Sequence, residues 1–186
     1  VAPLLAKDGD THHVVMPPAQ PFMPSSGGPG PYLEGGDIIC YKNHLFVGES
    51  DIATNRAGTE WLRDYIEPYG YTVHPMPMKG TVLHLLGIMV LVCEGVLLLF
   101  RDELDCELPA PLRDWDVIEL SEDEARAYAT VGVSLDDKRY VMPSHLGRVG
   151  EELSRRGVEP IEIDYDHVSY WGGCVSCSTH AIARDP

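Results

Sequence analysis

From residue 37 onward the apolar positions follow two alternating textures. Short runs of Ile, Val, Leu and aromatic residues predict strands over 37–43 (DIICYKN) and 44–49 (HLFVGE), hinged at Lys42-Asn43. Over 54–69 the spacing becomes helical, with Ala57, Trp61, Leu62, Tyr65 and Ile66 on one face and Pro68 and Gly70 as the stop. YTVHPMPM (71–78) predicts a returning strand. The unit then recurs: TVLHLLGIMVLV (81–92) and GVLLLF (95–100) predict paired strands, and WDVIEL (115–120) another. A third copy is the clearest, with a hairpin over 129–144, a helix over 145–156 stopped by Gly157, and the strand VEPIEID (158–164).

A recurring strand-strand-helix-strand module predicts an α/β repeat architecture. Its modules would pack side by side around an axis, each covering its neighbour's apolar face. With 186 residues, 44% of them hydrophobic, the chain is expected to form one domain spanning 1–186. The Pro-, Gly- and Ser-rich stretch 17–31 is expected as an exposed loop.

Charge narrows the partners. Asp and Glu number 29 against 14 Lys and Arg, a formal charge of −15. Such a surface repels phosphate backbones and anionic lipid, which argues against nucleic-acid and membrane partners and fits a small cationic substrate. The most apolar run, 83–100, is broken by His84 and Glu94 and suits buried strands better than a membrane span. Five cysteines without the spacing of a disulfide framework place the chain in a reducing cytoplasm.

Three short stretches could carry chemistry. In WGGCVSCSTH (171–180), Cys174 and Cys177 have no second pair to complete a four-ligand zinc site, since Cys40, Cys93 and Cys106 are isolated. A redox Cys-x-x-Cys opens a helix after a strand, whereas this one follows Gly172-Gly173 near the end of the sequence. A catalytic thiol and a pair of structural cysteines remain, with a zinc site of Cys174, Cys177 and His180 as a third class. In LEGGDIIC, Gly35 and Gly36 permit close approach of a ligand. Glu34 and Asp37 could there hold a planar cation by paired hydrogen bonds; the plainer reading is a turn with two solvated acids. His84, inside an apolar run, is either a satisfied core or edge residue or, beside a thiol, a general acid and base. The other histidines have plainer surface or turn readings.

The order of these stretches changes their weight. LEGGD, GES followed by TN, VLHL, VMP and the closing GG–C–S/T run together resemble the guanidino-group modifying enzymes, or penteins. This superfamily comprises dimethylarginine dimethylaminohydrolases, arginine deiminases and amidinotransferases, and the likeness runs from about Pro31 to Asp185. It implies a propeller of five α/β modules around a pseudo-fivefold axis, with the active site in the central channel. It implies Cys177 as nucleophile, His84 as acid and base, and Glu34 as the carboxylate at the guanidinium. Asp37, Gly35, Gly36 and Arg148 would be substrate contacts, and no metal or organic cofactor is implied. Cys174 falls in the variable stretch before the nucleophile.

Departures from the family pattern refine the expectation. Leu86 stands where deiminases and amidinotransferases carry an Asp two after the histidine, which leans toward the dimethylarginine hydrolases or toward lost activity. Ala53 replaces the arginine that hydrolases use near the substrate carboxylate. An upstream module carrying another guanidinium-gripping Asp is expected to be missing before Val1, which would expose apolar edges and invite oligomers. The expected activity is C–N hydrolysis of a substituted guanidine through a covalent amidino-cysteine, with amidino transfer to an amine as the alternative and a catalytically silent binding protein as a further one.

Overall fold

The computed structural model describes residues 29–50 and 52–179, so most of loop 17–31 and His180 lie outside the described residues. Among the described residues, nine strands form three separate three-stranded sheets, and these do not close into a single barrel. The first holds β1 (Ile38–Tyr41), β2 (His44–Glu49) and β3 (Thr72–Pro77). The second holds β4 (Met89–Cys93), β5 (Val96–Leu99) and β6 (Asp116–Glu119). The third holds β7 (Val133–Asp136), β8 (Arg139–Pro143) and β9 (Glu159–Ile163). In each, the middle strand pairs antiparallel with its hairpin partner and parallel with the strand that follows a crossover.

Alternation along a strand sends its side chains to two faces. On the first sheet, Leu45, Val47 and Val73 meet Leu62 of helix α1 (Arg56–Ile66), while Phe46 and Met76 enter a core shared by all three sheets. Leu97 and Leu99 of β5 and Tyr140 and Met142 of β8 bury fully in that same core. Asn55 caps α1: its side-chain oxygen accepts from the Gly58 N–H at 3.0 Å and from the Tyr32 N–H at 3.0 Å, so the helix start also fixes the chain two residues before Glu34. Apart from one bridge, Met78 to Leu104, no backbone ladder among the described residues joins the sheets.

Two expectations need correction. The strand read over 81–92 begins only at Met89; residues 81–88 form bends and a 3-10 turn, Leu85–Gly87. Their apolar run mimics a strand, but their backbone is held by buried carboxylates instead of a ladder. The second module also lacks a long crossover helix. Its crossover uses 3-10 turns at Arg101–Glu103 and Ala110–Leu112, and a short helix α2 (Glu122–Arg126), with a Ser121 capping box, follows β6. The third module matches its reading, with α3 (Gly147–Arg155) between β8 and β9 and Gly157 turning the chain at φ 78°.

Candidate active site

The LEGGD turn and the segment before β4 meet at one cavity, lined by Gly35, Gly36 and His84. Glu34 is extended and precedes a 3-10 turn, Gly35–Asp37. Its Oε2 lies 2.7 Å from Nε2 of His84. A carboxylate only accepts, so with Glu34 ionised the Nε2 nitrogen carries the hydrogen. Oε1 of Glu34 has no protein partner among the described residues, and the side chain is 43% exposed. Gly36 lets the turn press against the imidazole: a Cβ there would lie 2.7 Å from His84 Cγ and Nδ1.

The loop carrying His84 is gripped from both sides. Asp37 is fully buried, and its Oδ1 accepts from the Leu85 N–H at 2.8 Å while Oδ2 accepts from the Thr54 N–H at 3.2 Å. The Thr54 hydroxyl donates to the same carboxylate and accepts from the Glu34 N–H at 2.9 Å. A relay therefore runs from Glu34 through Thr54 and Asp37 to the residue after His84. Burial pushes the Asp37 carboxyl above its ordinary value, against the opposing pull of these donors and of His84. On the other side Glu103, 3% exposed, accepts from the Thr81 N–H at 2.6 Å, the Thr81 hydroxyl at 2.6 Å and the Val82 N–H at 3.2 Å.

Cys177 stands in the 3-10 turn Ser176–Ser178 and is exposed. The turn hangs from the third module through the Ser176 N–H, which donates to the Val131 carbonyl at 3.0 Å. Gly173, at φ 132°, passes the thiol so closely that a Cβ would sit 3.2 Å from Cys177 Cβ and 3.4 Å from Sγ. Cys174 differs sharply from its neighbour: it is fully buried against Val131 and Val175, and burial pushes its thiol pKa up. Cys177, His84, Gly35 and Gly36 all line one cavity of about 1340 Å³. The arrangement brings a thiol and an imidazole from different modules to one hollow, with the Glu34 carboxylate bonded to that imidazole just beyond the lining.

Two expected substrate contacts lie elsewhere. Asp37 spends both oxygens on backbone donors and does not line the cavity. Arg148, on α3, pairs with Glu124 and donates to the Glu119 carbonyl at 3.0 Å, joining the second and third modules away from the cavity wall. The sequence reading passed over Glu103, which in RDELD looks like any solvated acid, and over Thr54, although the TN pair contains it. Among the described residues no group of three or more His, Cys, Asp or Glu is placed to hold a metal, and His180 of the zinc reading lies outside them.

No protein-family model matches the chain. It is 28% identical over 153 residues to the uncharacterized protein YkgA of Bacillus subtilis, covering 82% of this chain and 52% of that protein. It is 28% identical over 145 residues to N(G),N(G)-dimethylarginine dimethylaminohydrolase of Pseudomonas aeruginosa, covering 78% and 54%. The chain thus spans about half the length of the curated relatives it matches. Among solved structures, the inosamine-phosphate amidinotransferase of Streptomyces griseus superposes with a TM-score of 0.73 at 19% identity, over 84% of this chain and 48% of the other. A mutant of the P. aeruginosa hydrolase complexed with citrulline gives 0.59 at 26%, over 72% and 49%. These likenesses bear out the resemblance read from the motifs, and the three modules described here have the pentein fold of the guanidino-group modifying enzymes.

Proposed function

We propose that this chain carries the thiol, imidazole and carboxylate of a guanidino-group hydrolase, with Cys177 as nucleophile, His84 as acid and base, and Glu34 as the residue that orients the cation. The observation that supports this most is the lining of one cavity by Cys177 and by a His84 tied to Glu34 at 2.7 Å. Oε1 of Glu34 would accept from a guanidinium N–H, turning the central carbon toward the sulfur. The thiolate adds to that carbon, forming a C–S bond. The C–N bond then breaks as the departing amine takes a proton from His84, leaving an amidino-thioether. Water, giving a proton back to His84, adds to the same carbon, and C–S cleavage returns the thiol and a urea-type product.

Amidino transfer is the second reading, and one observation favours it: Ala53 stands where the hydrolases carry an arginine. An acceptor amine would then take the place of water. Both readings are tested by incubating the protein with dimethylarginine, with arginine, and with arginine plus glycine. Hydrolysis yields citrulline with dimethylamine or ammonia; transfer yields guanidinoacetate. Chloroacetamidine should alkylate Cys177 at least tenfold faster than the exposed Cys40 of the same chain. Equal labelling of the two thiols, with no turnover of any guanidine, overturns both readings and leaves a protein of this fold without the chemistry.

A further inference from the structure

The wall around the candidate triad has a chemical character of its own. Away from His84 and Cys177 its larger part is apolar, with Ile39, Leu83, Leu86, Leu91, Phe100 and Leu135, and hydroxyls such as those of Thr81 and Ser134 supply the neutral polar remainder. Leu83 and Leu135 are 52% and 51% exposed, so their side chains face the hollow without being needed for the core. Among the described residues the lining includes no carboxylate and one permanently charged side chain, Arg126. That guanidinium is already engaged: its Nε donates to Glu122 at 2.8 Å and its Nη2 lies 2.7 Å from the same oxygen. Ala53, buried fully, offers no cation either. Among the described residues, a substrate with a carboxylate on its tail would find no unengaged cation along this wall, within a chain of net charge −15.

Resting on the reading above, we propose that the site takes guanidines bearing an apolar substituent, such as N-alkylguanidines, rather than amino acids. The cationic head meets Glu34, and the tail lies along Leu83, Leu86 and Leu135. Leu86 is the residue that most shapes this preference, since it lies two positions beyond His84 and packs between the cavity and the core. Each methylene that leaves water should raise affinity by about three- to fourfold.

The test measures dissociation constants of the 186-residue chain for butyl-, hexyl- and octylguanidine, arginine and hexylammonium, by calorimetry and by protection of Cys177 from chloroacetamidine. Affinity is expected to climb about tenfold for every two methylenes, with arginine weaker than butylguanidine. Leu83→Ser and Leu135→Ser, both at half-exposed positions, should flatten that climb without lowering the melting temperature. A flat series, or arginine binding as tightly as hexylguanidine while Cys177 still labels selectively, overturns the substrate class and leaves the proposed chemistry standing. Hexylammonium binding as tightly as hexylguanidine, or unselective labelling of Cys177, instead removes the guanidine reading on which this inference rests.

Discussion

Replacing Glu103, which does not itself line the cavity, by Ala removes three acceptor contacts from Thr81 and Val82 in the cavity wall. The Thr81 N–H and hydroxyl, each 2.6 Å away, and the Val82 N–H at 3.2 Å would all lose their partner. Hydrogen bonds to a charged acceptor are worth about 1.5–3 kcal/mol each when buried. Thr81 is exposed, however, so water can take over part of its bonding. The expected loss of stability is therefore about 2–3 kcal/mol, well below the sum of three bonds. The effect on chemistry should be larger than that figure suggests. Freed at Thr81 and Val82, the loop pivots about the Leu85 N–H on Asp37, and His84 moves with it. A displacement of about 1 Å in a catalytic group costs on the order of 100-fold in rate. Glu103→Gln supplies the control: its carbonyl oxygen still accepts both N–H groups and its amide can donate to the Thr81 hydroxyl, so it should restore most of the rate. The assay pairs thermal melts with turnover, or with chloroacetamidine labelling of Cys177, for both variants. An Ala variant that melts early but retains full reactivity, or a Gln variant as slow as Ala, would refute the idea that Glu103 positions the imidazole.

Further outcomes follow from neighbouring contacts. Thr54→Val keeps the shape but leaves the Glu34 N–H without its acceptor and Asp37 without a hydroxyl donor; stability should fall by about 1–2 kcal/mol, read by denaturant titration. Gly36→Ala places a methyl 2.7 Å from the His84 ring, so turnover should drop at least tenfold while circular dichroism stays native. Arg148→Ala should cost about 1 kcal/mol at neutral pH. Arg148 holds the Glu124 carboxyl below its ordinary 4.5, so this contribution exists above pH 4.5 and is lost as pH falls through the lowered value. Melts of the two proteins should therefore converge on acidification, and a constant gap would contradict the pairing.

The strands buried on both faces were legible from residue order, because each leaves a short apolar run bounded by turn residues. Leu45, Val47 and Val73 against Phe46 and Met76 is such a case. Residues 81–88 were not, because Val82, Leu83 and Leu85 satisfy a strand pattern while their path is dictated by Asp37 and Glu103, which lie far away in the chain. The same limit explains Asp37. Two acids around two glycines read equally well as a cation clamp or as a buried tie between loops, and only the Leu85 and Thr54 donors decide. Cys177 and His84 could be named from order and type, yet nothing in the run Trp171 to His180 announces that Cys174 turns inward and Cys177 outward. Arg148 was misplaced for the opposite reason: a matching position was read as a contact, although Glu124 sits within its reach.

Glu34, His84 and Cys177 sit on loops and turns of three sheets that, among the described residues, meet through side-chain packing and a single backbone bridge. Among the described residues no disulfide and no ladder between sheets holds Cys177 and His84 to one cavity; the fit of Phe46, Leu97 and Tyr140 does. Under the proposed function, reactivity of the sulfur is a gauge of interdigitation in the interior. A swollen state that keeps its hairpins but loses side-chain registry would look folded in the far ultraviolet and yet be chemically silent.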